Sequence, residues 1–283
     1  MHPIGVFDSG IGGLSVLAAL QAQLPHERFV YLADNGHAPY GEKSDVYVLE
    51  RSLRITEHLI KQHHIKALEV ACNTATAAAI HEIRARHPSL PVVGVEPAIK
   101  PALALTQTQR IGVMATRGTV ESHKFKQLIN QHCSQADYVV CACNGLALAI
   151  EQSTHPSANA AEVEASIDDL IERYLNEMGE YGNQPGQIDT LVLGCTHYVF
   201  VADRLRKRLG PQVSILSTGD AVARQTLRLL QQHHQLQTSQ APTPSSNRIS
   251  LYTTGDLASL RYAAQRWIHV TAASCHKADA SVA

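Results

Sequence analysis

Short apolar runs alternate with longer amphipathic segments through the first third of the chain. The runs at 4–7, 29–32, 67–71 and 91–95 have the length and composition of buried strands. Between them, apolar positions at helical spacing predict helices over 12–24, 45–63 and from 73 to about 86. Strands that alternate with helices in this way indicate a mostly parallel sheet covered on both faces.

The same alternation restarts at Arg110. Strands are predicted at 111–114, 138–141, 190–193, 213–216 and 249–252, and helices from about 120 and at 158–178, 219–232 and 256–267. The polar stretch 231–248 predicts an exposed loop, and the last ten residues are expected to fray. We expect one α/β domain from 1–95 plus 210–270, a second from 96–209, and a flexible tail at 271–283.

Two stretches of the first half have counterparts in the second half, in the same order. Ile4-Gly5-Val6 with its following polar turn resembles Ile111-Gly112-Val113, and the stretch 68–74 resembles 191–197. Because α/β proteins repeat this pattern freely, coincidence is the alternative to duplication. Duplication predicts two pseudo-symmetric α/β domains whose equivalent strand ends face a shared cleft.

Small and polar residues follow the predicted strands. They are Asp8 to Gly13, the loop from Asp34 to Tyr40 and Gly41, Cys72-Asn73-Thr74, Thr116 with Thr119, and Cys195-Thr196-His197. Ligands of open α/β sheets bind beyond the carboxyl ends of strands, where helix N-termini favour anions. The glycines at 10, 12 and 13 lack the spacing of a dinucleotide loop, so a tight turn is the better interpretation.

Cys72 and Cys195 each stand at a predicted strand end and open a helix. A thiol in that position can have a depressed pKa. Either cysteine alone would more often be a small buried residue. As a matched pair, two thiols across a cleft could remove a proton from one face of a carbon and return one to the other. Cys141 and Cys143 are predicted to be structural, and Cys133 and Cys275 to have no catalytic role. A zinc site is a weaker alternative, with the ligands Cys72, Cys195, His197 and Asp8.

Composition excludes several classes of function. Lys and Arg number 24 against 25 Asp and Glu, which argues against a nucleic-acid or anionic membrane partner. No apolar run approaches the ~20 residues of a membrane span, and Met1-His2-Pro3 does not open a signal peptide. We therefore expect a cytoplasmic protein with six reduced cysteines.

The motifs at the strand ends resemble those of bacterial glutamate racemases in order and spacing. They are Asp8 to Gly13, Pro39-Tyr40-Gly41, Ala71 to Ala75 and Gly194 to Tyr198, and the resemblance covers about residues 3–230. The opening Asp-Ser-Gly motif is more similar to glutamate than to aspartate racemases. The resemblance implies two similar α/β domains with the active site between them, and a homodimer. It also implies that the enzyme acts on glutamate without a cofactor or metal and supplies D-glutamate to peptidoglycan.

The resemblance also implies roles for individual residues. Cys72 would act on the α-proton of D-glutamate and Cys195 on that of L-glutamate, with Asp8 and His197 assisting the thiols. Substrate-binding positions would be Ser9, Tyr40, Gly41, Asn73, Thr74, Thr116, Thr119, Glu151 and Thr196. Where relatives have proline after Cys-Thr-His-Tyr, this chain has Val199, which predicts a changed helix start.

Three other functions remain open at this stage. An aspartate racemase would use the same thiols on a shorter acid. A noncatalytic amino-acid-binding protein would bind its ligand without exchanging the α-proton. A thiol–disulfide redox protein is the third, although the chain lacks Cys-x-x-Cys.

Overall fold

A computed structural model describes residues 2–237, 248–279 and 282. Most of the predicted loop 231–248 lies outside these residues, at 238–247. Within the described part of the chain, no helix is both long and apolar enough to cross a membrane.

The first sheet has six parallel strands in the order β10-β9-β2-β1-β3-β4. Four of them come early in the chain: β1 (Ile4–Asp8), β2 (Phe29–Ala33), β3 (Ala67–Val70) and β4 (Val92–Gly94). The other two are β9 (Ile249–Thr253) and β10 (Cys275–Lys277). β2 and β1 occupy the middle and are buried throughout, as expected of a sheet covered on both faces.

The second sheet has four parallel strands in the order β6-β5-β7-β8. They are β5 (Arg110–Ala115), β6 (Asp137–Ala142), β7 (Thr190–Gly194) and β8 (Ser214–Leu216). This order repeats the β2-β1-β3-β4 order of the first sheet, with β5 equivalent to β1 and β7 equivalent to β3. The predicted pair of similar α/β units with mostly parallel sheets is therefore confirmed.

Helices cover both sheets. They are α1 (Leu14–Gln23), α2 (Asp45–His63), α3 (Asn73–Arg86), α4 (Ile99–Leu105), α5 (Arg117–Glu121), α6 (His123–Asn130), α7 (Leu146–Gln152), α8 (Ala160–Met178), α9 (Ala202–Leu209), α10 (Gly219–Gln232) and α11 (Leu257–Ile268). α1, α10 and α11 share one apolar core with α7 and α8, and that core joins the two sheets. Separate cores lie under α2 and α3 and beneath α4 and α6.

The local sequence accounts for where individual helices begin and end. Ser44 caps α2 by accepting from the Tyr47 amide, and His64 ends that helix in the left-handed region at φ 50°. The helix expected from about 120 begins earlier, at Arg117, where Thr116 caps it. It ends at Ser122, whose extended backbone and side chain start α6.

Two predictions about the end of the chain need correction. The segment 210–216 was expected in the first domain, but Ser214–Leu216 pairs with β7 at the edge of the second sheet. The tail 271–283 was expected to be flexible, but Cys275–Lys277 forms an edge strand on β9. That pairing satisfies backbone groups that β9 would otherwise expose.

Candidate active site

The carboxyl ends of the two sheets meet at one place. Thr196, which follows β7, donates from Oγ1 to Asp8 Oδ2 at the end of β1, at 2.8 Å. The Oγ1 atoms of Thr74 and Thr116, on α3 and at the start of α5, lie 3.0 Å apart. The predicted site residues thus converge from both halves of the molecule.

Cys72 lies between β3 and α3 and caps the helix through its sulfur. The Ala75 amide donates to Sγ at 3.5 Å, and Sγ lies 3.9 Å from Ser9 Oγ. The thiol is almost completely buried. Burial raises the pKa of the Cys72 thiol well above its ordinary value, and the nearby Asp8 carboxylate adds to the rise. The expectation of a depressed pKa at this helix N-terminus is therefore wrong for Cys72, because burial and Asp8 outweigh the Ala75 hydrogen bond.

Cys195 occupies the equivalent place after β7 but has different neighbours. Its Sγ lies 3.8 Å from His197 Nδ1, and the next turn, Thr196–Val201, is a 3₁₀ helix with no side-chain cap. The α-helix α9 starts only at Ala202. Val199 therefore lies in the 3₁₀ turn that precedes this α-helix.

His197 is buried between Cys195 and the second half's Glu151. Its Nε2 lies 2.6 Å from Glu151 Oε2. Burial opposes the charge on His197, but the hydrogen bonds to Cys195 and Glu151 raise its pKa well above the ordinary value. At neutral pH the arrangement therefore favours an imidazolium beside the Cys195 sulfur.

Asp8 connects the surroundings of the two thiols. Its Oδ1 accepts from the Gly10 amide at 2.8 Å and from Ser9 Oγ at 3.1 Å, while Oδ2 accepts from Thr196. Burial raises the pKa of Asp8, and nearby His197 opposes that rise. Hydrogen bonds thus run from Ser9, which contacts Cys72, through Asp8 to Thr196, the residue after Cys195.

Three threonine hydroxyl groups gather where the N-terminus of α3 meets α5. The Thr119 Oγ1 atom lies 3.0 Å from Thr116 Oγ1 and 3.4 Å from Thr74 Oγ1. Each hydroxyl can rotate its proton toward an oxygen of a ligand. Three hydroxyls at helix N-termini are suited to a carboxylate.

Asn73 is buried, yet neither its Nδ2 nor its Oδ1 has a hydrogen-bond partner within the described part of the chain. It lines a cavity of about 220 Å³ together with Thr119, Val95 and Phe125. A buried amide without partners costs stability, so it needs a polar ligand or water. Neither Cys72 nor Cys195 lines this cavity, and the substrate-binding role of Asn73 stays a prediction.

Tyr40 and Gly41 are placed differently from each other. Tyr40 is fully buried and donates from its hydroxyl to Asp34 Oδ2 at 2.5 Å, so this hydroxyl proton is already engaged within the protein. Gly41 packs directly on Thr116, because a Cβ at Gly41 would come within 2.6 Å of the Thr116 Cβ. The turn therefore supports the hydroxyl group of Thr116 through close backbone contact.

Glu151 extends from α7 to the first half. Its carboxylate accepts from the Ile11 amide at 3.1 Å and from the Asn35 side chain, besides its contact with His197. Sequence reasoning did not identify Asn35 or the Ile11 amide as partners. Their position directly after β2 and β1 was the only signal available.

The remaining cysteines differ in burial. Cys143 is buried, with Sγ 3.6 Å from the Cys141 carbonyl, while Cys133 is exposed. Among residues 2–237, 248–279 and 282, no three His, Cys, Asp or Glu side chains are grouped as ligands for one metal ion.

Comparison with known proteins agrees with this arrangement. Residues 13–226 match the Asp/Glu/Hydantoin racemase family. A glutamate racemase of Ectopseudomonas mendocina is 48% identical over 239 residues, covering 84% of this chain and 86% of the relative. A glutamate racemase of Cupriavidus pinatubonensis is 42% identical and covers 95% and 92% of the two chains.

Two solved structures share the fold along almost the whole chain. Glutamate racemase RacE1 of Bacillus anthracis superposes with a TM-score of 0.82 at 32% identity, covering 100% of this chain and 99% of its own. The Escherichia coli glutamate racemase, solved with L-glutamate and the activator UDP-MurNAc-ala, gives a TM-score of 0.79 at 28% identity and covers 98% of each chain. The matched thiols, the repeated strand order and these similarities lead to one conclusion: the chain belongs to the Asp/Glu/hydantoin racemase family, as its motifs indicate.

Proposed function

We propose that this protein interconverts L-glutamate and D-glutamate, with Cys72 and Cys195 as its two acid–base groups. The observation that carries the proposal is the equivalence of the two thiols. Each follows the equivalent strand of a repeated four-strand order, and Cys195 lies close enough to Cys72 to raise the pKa of that thiol. The relatives that cover most of the chain are glutamate racemases, which favours glutamate over aspartate.

Inversion at the α-carbon needs a base on one face and an acid on the other. A thiolate removes the α-proton and becomes a thiol, while the opposite thiol gives its proton to the carbanion and becomes a thiolate. The enzyme therefore ends each turnover with the two protonation states exchanged. The pair titrates as one coupled unit, so a bell-shaped dependence of rate on pH is expected.

The two sides of the cleft make their thiolates by different means. His197, with its raised pKa, can hold a positive charge beside Cys195. Cys72 has Ser9 and the Asp8 carboxylate nearby, and its thiol form is favoured in the unliganded protein. Binding of a substrate ammonium group near Asp8 would bring a positive charge that lowers the barrier to ionising Cys72.

The carbanion needs stabilisation at the α-carboxylate. Thr74, Thr116 and Thr119 offer hydroxyl donors, and Asn73 offers an unpaired amide. Donors that are already in place stabilise charge as it develops, without the cost of reorganising water. We infer that these four residues bind the substrate's carboxylates.

The cellular role follows from the proposed reaction. D-Glutamate made by this enzyme would enter peptidoglycan, and the enzyme would act in the cytoplasm as a homodimer without a cofactor. Oligomeric state is testable by light scattering of the purified protein.

The decisive experiment measures circular dichroism with D-glutamate, L-glutamate and both aspartates, without added cofactor. Cys72→Ala and Cys195→Ala should each lower racemisation by at least about a thousandfold, since either change removes one of the two bases. Cys141→Ala and Cys133→Ala are matched controls that should keep the wild-type rate.

Proton exchange into deuterated water distinguishes the alternatives. Tight binding of glutamate by the wild-type protein with no α-deuterium incorporation would identify a binding protein instead. Racemisation of aspartate but not glutamate would change the substrate. Normal turnover by Cys72→Ala would exclude the two-thiol mechanism.

A further inference from the structure

A buried ion pair lies behind the Tyr40-Gly41 turn. Arg51 of α2 donates to both oxygens of Asp34, from Nη2 to Oδ1 at 2.7 Å and from Nε to Oδ2 at 3.0 Å. The Asp34 side chain is fully buried and that of Arg51 is 6% exposed. Neither residue belongs to the proposed catalytic or substrate-binding set.

Every acceptor position of Asp34 is used to connect separate segments. Tyr40 donates to Oδ2 at 2.5 Å, and Thr254, which follows β9, donates to Oδ1 at 2.8 Å. One carboxylate therefore fixes the turn at Tyr40, the helix α2 and the end of β9 relative to each other. A two-pronged guanidinium is suited to this geometry, whereas an ammonium group cannot make both contacts in the same plane.

The far end of the chain contributes to the same group of residues. Arg51 Nη2 also donates to the Val282 carbonyl at 2.6 Å. The Val282 side chain is fully buried in the apolar core that contains Tyr40. Val282 is thus a direct partner of the arginine, 231 positions away in sequence.

The turn held by this network contacts the second half of the molecule. Gly41 lies against Thr116, and its carbonyl oxygen is 3.3 Å from the position that a Cβ on Gly118 would occupy. Displacement of the turn by even a fraction of an ångström would therefore change the position of the Thr116 hydroxyl. That hydroxyl is one of the groups proposed to bind a substrate carboxylate.

We propose that Arg51, held between Asp34 and the Val282 carbonyl, is a positioning residue that sets the Tyr40-Gly41 turn against Thr116, and that Val282 thereby influences substrate affinity. The inference rests on the proposed glutamate racemase function. Arg51 touches no reacting atom in this scheme, so its loss should weaken binding more than it slows the chemical step.

The test compares Arg51→Met, Arg51→Lys and a chain that ends at Ala278, which keeps β10 but lacks Val282. KM for glutamate should rise about tenfold in Arg51→Met while kcat changes less than about threefold. Arg51→Lys should recover part of the loss, because an ammonium can hold Asp34 but not every partner at once.

Combining Arg51→Met with the shortened chain tests the connection itself. The shortened chain alone should raise KM about threefold, and adding it to Arg51→Met should raise KM no further, because the carbonyl acts through that arginine. Arg204→Met is the control, since Arg204 of α9 is a partly buried arginine paired with Glu164 and Asp168 of α8, and it should leave KM unchanged. An unchanged KM in a folded Arg51 variant, or fully multiplicative effects, would overturn the proposal.

Hydrogen–deuterium exchange of the peptide containing residues 35–44 gives a readout that needs no turnover. Exchange should speed up in the Arg51 variants and in the shortened chain, but not in Arg204→Met. If the wild-type protein racemises no glutamate, the proposed function fails while this measurement still decides the positioning role. If Arg51→Met does not fold, Arg51→Lys and the shortened chain provide the same comparison.

Discussion

Glu69 is a carboxyl group buried in β3, in the interior of the first sheet. Its Oε2 accepts from Thr226 of α10 at 3.2 Å, and its Oε1 has no hydrogen-bond partner within the described residues. Burial raises the pKa of Glu69 from 4.5 to about 8, against the opposing hydrogen bond from Thr226. The folded protein therefore holds this carboxyl in its neutral form at physiological pH.

This single residue should make stability depend on pH. The unfolded chain releases the Glu69 proton above pH 4.5, whereas the folded chain keeps it until about pH 8. Stability should therefore fall by about 5 kcal/mol across that window and level off above it. Urea unfolding of wild type and Glu69→Gln between pH 5 and 9 measures this.

The variant should show a much flatter profile, because an amide does not ionise. Glu50→Gln, which changes an exposed carboxylate, is the control and should follow the wild type. Parallel profiles for wild type and Glu69→Gln would contradict the assignment of a neutral buried carboxyl.

At the scale of elements, Asp189 holds the connection between α4 and β5 against the start of β7. Its carboxylate accepts from Thr106 Oγ1 at 2.6 Å and from the amides of Gln107 and Thr108 at 2.6 and 2.8 Å. Burial works against the charge, but these donors lower the pKa of Asp189 below its ordinary value. One acidic side chain thus satisfies backbone groups that the turn leaves unpaired.

Asp189→Asn should destabilise the protein by about 1–3 kcal/mol at pH 7, since an amide offers one acceptor oxygen in place of two. The folded pKa is depressed, so the carboxylate's contribution is present above pH 3.8 and is lost as pH falls through the folded value. The difference in unfolding free energy between variant and wild type, measured with urea, should therefore shrink from pH 7 to pH 3.

Asp137→Asn is the control, because it removes one partner of a half-exposed ion pair with Arg110. It should lower stability by less than about 1 kcal/mol at either pH. An Asp189→Asn penalty that stayed constant with pH would rule out an ionised carboxylate here.

At the scale of the whole molecule, Glu151 is a principal polar contact between the two halves. It joins α7 to the Ile11 amide and the Asn35 side chain of the first half. Its removal should favour separation of the halves. Glu151→Ala should therefore speed deuterium uptake at the Ile11 amide, within the peptide containing residues 9–13, by about tenfold or more, because this amide loses its acceptor.

Glu177→Ala is the matched change for that measurement. Glu177 forms an exposed pair with Arg173 within α8, and its polar partners in the described part of the chain, Arg173 and Cys141, both lie in the second half. Deuterium uptake at residues 9–13 in Glu177→Ala should equal that of the wild-type protein. Equal uptake in Glu151→Ala would mean that the Ile11 amide is protected by packing alone.

Sequence pattern was sufficient to predict most strands and helices because burial on both faces leaves long apolar runs with clear ends. Helix α2, for example, has the same bounds in the prediction and in the structure, and Ser44 before it is a strong local signal for an N-cap. The tail was misjudged because an edge strand such as Cys275–Lys277 is short and half exposed. Its pairing depends on β9, which local composition does not reveal.

The sequence by itself determined the α/β fold, the repeated halves, the family, and the thiols and hydroxyls at the strand ends, because strand periodicity and residue type at a strand's end are local properties. Only the tertiary structure decided the electrostatics of those groups. The high pKa of Cys72, the charged partner of Cys195, the unpaired amide of Asn73 and the reach of Val282 to Arg51 all depend on burial and on contacts between distant segments. Desolvation and long-range hydrogen bonds exist only after the chain has folded, so no reading of neighbouring residues contains them.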